Sequence, residues 1–499
     1  MLVVQPVREV VRFLPALLVL ALAGRGSGGP GGPGGVGWEA VAVLVAVGVG
    51  VARYLTTTYR IGDGRVELRR GLVSRRVVSA RLDRVRSIDL TSSVVQRLFG
   101  LTTMRIGTGT AAGEDDGDLD LDGLRRPAAE DLRGRLLGAR EPAVAPAASY
   151  DGEAGADGPS TTAVAAPVAE PETVARFDLR WLRFAPLTGT GLVVAGATFG
   201  LVTQVAAQAG LWERLEDGGA SSLAGVGGVA LLALLVALGV GLLLVVAAIS
   251  VVGFWVTEGG YRLTREPGTW RVSRGLLTTR ETSLDEQRVA GATIAEPLLL
   301  RWAGGRSLRA IVTGVDASER GSSALVPPSD ATVAPYVAGV VLGGPAPVDV
   351  PLRDHGPAAR ARRRTRALGP AAVLPVAAAV LVVAGGPWWP LVPALLAVPV
   401  AWGLAEDRVR GLGHARAGGY VVARSGSLTR GRDMLAEDHV IGWNLRATWF
   451  QRRVGLTTLQ ATTAGGSGAV TVLDVPEGDA LTLAHGTAPE LLEQFLEHA

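Results

Sequence analysis

Apolar and polar positions along the chain follow an order that occurs three times. Six apolar stretches come in pairs, roughly 13–24 with 36–55, 184–210 with 223–256, and 367–386 with 388–404. Spanning a bilayer takes about 20 apolar residues, so the pairs predict three membrane hairpins. Their turns are the Gly/Pro loop from Arg25 to Gly35, a loop with Trp212, Glu213, Glu216 and Asp217, and the tight run Gly385-Gly386-Pro387-Trp388-Trp389-Pro390. After each pair the pattern changes to short alternating runs, the period of strands. Thr58-Tyr59-Arg60-Ile61, Asp63-Gly64 and Arg65-Val66-Glu67-Leu68-Arg69 predict a tight β-hairpin, with matching turns at Glu266-Pro267-Gly268 and Ala417-Gly418-Gly419. A further strand is predicted from Leu72 to Arg76 and from Leu276 to Arg280. Amphipathic helices close the three regions at roughly 127–138, 329–343 and 488–497.

The three regions share one spacing. Gly64, Gly71, Val85 and Gly100 recur as Gly268, Gly275, Val289 and Gly304, then as Gly419, Gly426, Val440 and Gly455. The intervals are 7, 14 and 15 residues each time, so one small module is expected in three copies. The division expected is hairpin 8–55, module 56–138, linker 139–172, hairpin 173–256, module 257–345, hairpin 346–404 and module 405–499. The linker is read from its Ala, acidic residues and Pro142, Pro146, Pro159, Pro167 and Pro171.

Charge supplies an orientation. Lys is absent, so every cationic side chain other than His is Arg. Arg8 and Arg12 precede the first hairpin, Arg176, Arg180 and Arg183 the second, and Arg360, Arg362, Arg363, Arg364 and Arg366 the third. The turns hold only Arg25 and Arg214, which places both termini and all three modules in the cytoplasm of a multi-pass plasma-membrane protein. A Pro follows each Arg group (Pro15, Pro186, Pro370), suited to a helix's first turn. The first apolar segment has a rival reading as a signal peptide ending at Ala21-Leu22-Ala23. A mean hydropathy of +0.31 with 19% charged residues fits a membrane protein, and a net charge of +3 gives little support to nucleic-acid binding. The absence of Cys excludes disulfides and thiolate chemistry. No ionisable side chain falls near the middle of an apolar stretch, which argues against a coupled transporter.

Tyr59, Gly71-Leu72, Arg84-Val85 and Gln96-Arg97-Leu98-Phe99-Gly100-Leu101-Thr102-Thr103, with Phe450-Gln451-Arg452-Arg453-Val454-Gly455-Leu456-Thr457-Thr458, make the chain resemble the YdbT-like bacterial PH domain 2 membrane proteins. The resemblance implies an α+β membrane protein. Six transmembrane helices in three hairpins would each be followed by a PH-like small β-barrel or sandwich with a C-terminal helix. The second copy departs, with Gly305-Arg306 for Leu-Thr and Pro297 interrupting the preceding run, so distortion is expected there.

The sharpest candidate sites are the tips that pair Arg with large apolar residues: Arg97, Leu98 and Phe99; Arg301 and Trp302; Phe450, Arg452 and Arg453. Such clusters can lie among lipid headgroups or meet a partner, and the bland alternative is that the rings are core. The hairpin turns lack the basic cluster of an inositide site. Asp118-Leu119-Asp120-Leu121-Asp122-Gly123 looks like a calcium loop but has Ala129 where Glu is needed, and reads better as an acidic edge strand. The five His show no metal-ligand spacing, and His439 beside Glu437 and Asp438 is the nearest approach to a catalytic set. No cofactor, metal or enzymatic activity is expected. The function expected is a non-enzymatic binding and assembly platform on the lipid bilayer, in envelope homeostasis or protection from membrane-active agents. A smaller PH-like membrane protein is the partner implied by the resemblance, and nucleic acid is not. The rival is a transporter or export channel for a lipid or peptide.

Overall fold

The computed structural model describes residues 58–62, 65–70, 76–81, 87–107, 118–138, 171–188, 226–314 and 323–487, with isolated helical positions between 191 and 208. The first expected hairpin, most of the 139–172 linker and the 488–497 helix lie outside these residues. The described chain is a sheet-rich α+β protein.

Its strands come in three sets of six. The first is β1 (Thr58–Gly62), β2 (Arg65–Arg70), β3 (Arg76–Arg81), β4 (Ser87–Ser92), β5 (Leu101–Gly107) and β6 (Asp118–Arg125), with helices α1 (Val94–Leu98) and α2 (Arg126–Gly138). A single strand, β7 (Glu172–Arg176), a 3-10 helix (Leu179–Leu187) and α3 (Val226–Glu258) come next. The second set is β8 (Arg262–Glu266), β9 (Thr269–Arg274), β10 (Thr279–Asp285), β11 (Val289–Pro297), β12 (Gly305–Val312) and β13 (Ala324–Asp330), with α4 (Leu298–Trp302) and α5 (Val333–Val341). Helices α6 (Gly356–Val383) and α7 (Leu391–Arg410) precede the third set. That set is β14 (Gly413–Ala417), β15 (Tyr420–Ser425), β16 (Thr429–Ala436), β17 (Gly442–Arg446), β18 (Leu456–Thr462) and β19 (Ala469–Pro476), with α8 (Trp449–Arg452) and α9 (Glu477–Thr487).

The chain divides into two compact units. In the first, an antiparallel sheet runs β6-β5-β4-β10-β9-β8, and β1-β2-β3 form a sheet of their own. Alternate residues Ile88, Leu90, Met104 and Ile106 point to one face, as the two-residue period dictates. Ala129, Leu132 and Leu136, spaced along one stripe of α2, close that core.

In the second unit a six-stranded sheet, β13-β12-β11-β16-β15-β14, accompanies the three-stranded β17-β18-β19. Val421, Ala423 and Leu435 meet Leu459, Ala461, Val470 and Val472, with Ala480, Leu483 and Ala484 of α9 beneath. The third closing helix thus begins directly after its strand, earlier than the 488–497 expected from pattern. Acidic residues Glu477 and Asp479 in its first turn suit the positive end of the helix dipole.

Two described helical segments are long and apolar enough to cross a membrane, Gly239–Glu258 within α3 and Gly356–Val383. Helix α7 packs on α6 and carries Glu406, Asp407, Arg408 and Arg410 at its end. Helix α6 starts earlier than the apolar pattern suggests. Pro357 occupies its first turn, so Arg360 to Arg366 lie on the helix and Pro370 stands inside it. The first half of the second hairpin also differs, because Pro186 sits within the 3-10 helix.

Candidate membrane-facing tips

Each set places a short helix, α1, α4 or α8, between its fourth and fifth strands, and the candidate tip residues lie there. In α1, Ser93 Oγ accepts from the Gln96 N–H at 3.3 Å, while Gln96 Oε1 accepts from the Ser93 N–H at 2.9 Å. This reciprocal capping box satisfies two donors at the helix start. The buried Gln96 amide also donates to Thr103 Oγ1 at 3.0 Å. Helix α8 repeats the arrangement with Thr448 and Gln451, whose amide donates to Thr458 at 2.9 Å and to Asp474 at 2.7 Å.

The second tip is built differently. Pro297 holds the cap position without a side-chain bond, and buried Leu300 replaces the Gln. Gly305 stands where the sister sets bury Leu101 and Leu456. A Cβ on Gly305 would lie 2.6 Å from Leu300 Cδ1 and 2.8 Å from Phe184 Cε1. The fully buried Phe184 ring, from the 3-10 helix at Leu179–Leu187, fills that space. The distortion expected of this copy is therefore a local change from polar to apolar packing.

All three tips end on a glycine in the left-handed region, Gly100, Gly304 and Gly455, at φ +64°, +75° and +64°. Their carbonyls accept the N–H of Arg126, Ala331 and Glu477 at 3.0, 2.9 and 3.2 Å, holding the turn into the closing helix.

The large apolar residues at these tips face outward. Leu98 is 82% exposed, Trp302 74% and Phe450 67%, and Phe99 and Trp449 are also exposed. The core alternative fails for Phe99, Trp302 and Phe450. The Arg residues have distinct settings. Arg97 donates to Thr279 at 3.2 Å, Arg301 pairs with Asp407 at 2.7 Å, and Arg453 lies 3.6 Å above the Trp449 ring. Arg452 closes the last turn of α8.

The second and third tips are tied to the ends of the α6–α7 hairpin. Asp407, in the last turn of α7, takes Arg301 and also Arg430 at 2.8 Å. On α6, Arg362 bonds Asp474 at 2.9 Å and Thr448 at 3.3 Å, and Arg363 reaches Asp474 at 2.7 Å. Asp474 is buried and is the one non-glycine residue in the left-handed region among those described, at φ 51°. Such strain persists where surrounding contacts hold it. Asp407, Asp474 and Phe184 were not candidates from sequence, since their partners lie up to 121 residues away. The capping boxes Ser93-x-x-Gln96 and Thr448-x-x-Gln451 were visible signals.

The remaining candidates resolve into structural roles. Asp118 and Asp122 lie in strand β6, where Asp122 accepts from Thr103 at 3.0 Å. Glu437 is held by Arg416 at 2.7 and 2.8 Å, so it does not converge with the Asp438–His439 pair. The same turn in the second set carries Arg265 on Glu286. Buried His355 donates from Nδ1 to the Leu473 carbonyl, which leaves Nε2 to accept from His414 Nδ1, each at 2.9 Å. Burial lowers the pKa of both imidazoles, and for His414, with His355 adding to the effect, it falls to about 4. A cavity of 340 Å³ in the second unit is lined by Thr293, Asp433 and Thr463 among others; burial raises the Asp433 pKa against a hydrogen bond from Thr293. Among the described residues no group of His, Asp or Glu is arranged to hold a metal ion.

Residues 11–140 and 366–485, together just over half of the chain, match the bacterial PH domain, a stretch that includes the first and third tips. No curated protein and no solved structure matches the chain.

Proposed function

The chain belongs to the bacterial PH domain family, and from that premise we propose a non-enzymatic, multi-pass platform on the inner face of the plasma membrane. Six helices in three hairpins deliver three cytoplasmic PH-like modules to the lipid surface. There the modules assemble with other membrane proteins, a smaller PH-like protein among them, in envelope homeostasis or protection from membrane-active agents. The observation that carries this reading is the exposure of Trp302, Trp449 and Phe450 on tips bonded to the α6–α7 pair, through Arg301 on Asp407 and through Arg362 on Thr448. That position is headgroup depth, where rings meet the acyl boundary and Arg meets phosphate. The apolar faces of α3 and α6 support it, since Leu244, Ile249, Val376 and Val380 stay uncovered. Ser250 and Thr257 spend their hydroxyls on carbonyls of their own helix, which favours a scaffold over a cargo path.

The absence of Cys permits a direct test. Single Cys variants at Leu98, Trp302 and Phe450, spin-labelled in proteoliposomes containing anionic lipid, should be accessible to oxygen and shielded from aqueous nickel chelate. Ser467, on an exposed turn, serves as the water-facing control. Tip labels as accessible to the chelate as the Ser467 label would rule the reading out.

A further inference from the structure

Two junctions between consecutive strand sets follow one rule. In the first unit β4 of set one pairs antiparallel with β10 of set two, from Thr279 opposite Ser92 to Leu284 opposite Ser87. In the second unit β11 of set two pairs with β16 of set three, and Glu296 stands opposite Arg430. The repeat carries Ser92 to Glu296 and Thr279 to Arg430, so the second junction reproduces the first with no slip of register. The central pair is conserved in chemistry with its sides exchanged. Thr282 donates to buried Asp89 in one junction, and Thr293 donates to Asp433 at 2.7 Å in the other.

A set therefore presents two complementary edges, its third strand to the set before and its fourth strand to the set after. Two such edges remain. The outer sides of β3 in set one and β17 in set three have no strand beside them among the described residues. An open edge offers a row of unpaired backbone groups as a template for another strand. Ile441 and Leu445, before and within β17, are also exposed.

We propose that β17 of one copy pairs with β3 of a second copy, antiparallel and in the register of the two internal junctions. Gly442, Trp443, Asn444, Leu445 and Arg446 then stand opposite Ala80, Ser79, Val78, Val77 and Arg76. The contact is heterologous, so copies join head to tail into a ring or a row on the membrane. Where the internal junctions carry Asp with Thr, this one carries Asn444 with Val78, and Arg446 faces Arg76. Like charges directly opposite oppose pairing, which makes the external junction the weaker one and its assembly reversible. This inference does not depend on how deep the tips lie in lipid.

The Cys-free chain again allows the test. Full-length Val78→Cys and Asn444→Cys variants, co-expressed and treated with a short thiol cross-linker in membranes, should give a mixed dimer. Val78→Cys with Trp443→Cys should give several-fold less, because a one-residue shift turns the side chain to the other face. Arg446→Glu, which places an opposite charge before Arg76, should raise the yield at low salt, and misfolding cannot imitate a gain. The proposal is overturned by the absence of a mixed dimer. It is overturned equally if a chain carrying both Val78→Cys and Asn444→Cys cross-links only within itself, or if Asn444→Cys captures a smaller protein in place of a second copy.

Discussion

The second and third tips solve one folding problem with opposite chemistry. The third is polar: Thr448 caps the helix, Gln451 returns the bond, and Asp474 binds Gln451 together with Arg362 and Arg363 of α6. The second is apolar, where Leu300 replaces the Gln and Phe184 fills the space above Gly305. In each case a side chain from a helical segment outside the strand set completes the tip, Phe184 of the 3-10 helix in one and Arg362 and Arg363 of α6 in the other. The difference teaches that what the repeat preserves is the bracing of tip against helix, while the bonding that achieves it is free to vary.

The largest effects should come from removing the braces. Asp474→Ala leaves two largely buried guanidinium groups without a carboxylate, and losses of about 3–5 kcal/mol are typical for a broken buried pair. Thermal unfolding of the detergent-solubilised protein should show it, and an unchanged midpoint would mean the pairs are idle. Phe184→Ala should cost a similar amount, about 3–5 kcal/mol, through the cavity it opens. Combining it with Gly305→Leu should recover part of that loss by restoring the packing of the sister sets. Strict additivity of the two changes would refute the shared space.

A smaller effect, about 1 kcal/mol, is expected for Thr448→Ala, a lost N-cap. Pro297→Ser should change stability by less than about 0.5 kcal/mol, because Leu300 cannot return the reciprocal bond. A gain as large as the Thr448→Ala loss would show that the second tip is merely an uncapped version of the third.

The third tip should also be the pH-sensitive one, since Leu473, which precedes Asp474, accepts from His355. The native His414 pKa of about 4 lies below the ordinary 6.5, so the unfolded chain binds more protons between those values. Stability attributable to this pair is complete above pH 6.5 and is lost as pH falls towards 4. Stability measured across that interval should flatten in His414→Gln, and an identical slope would remove the pair from the account.

Much of this was legible in the residues. The Gly100, Gly304 and Gly455 spacing marks left-handed turns at every tip, and the capping motif Thr448-x-x-Gln451 lies within four residues. The shared face of Ile88 and Leu90, by contrast, emerges only from the structure. The apolar pattern of α6 began too late, because the helix continues through arginines whose charge is neutralised by Asp474 and Glu406, which are distant in sequence. Which strand lies beside which was also hidden. A strand such as β11 has the same alternation whether its neighbour belongs to its own set or the next.

The shared sheet of the second unit also constrains how the protein is made. Strand β11 is complete at Pro297, yet its partner β16 begins only at Thr429, with α6 and α7 between them. During translation that edge stays raw until both α6 and α7 have left the ribosome. Emergence of the helix pair and completion of the sheet are thus coupled in time, and a chain stalled between them offers an uncapped strand to any neighbour.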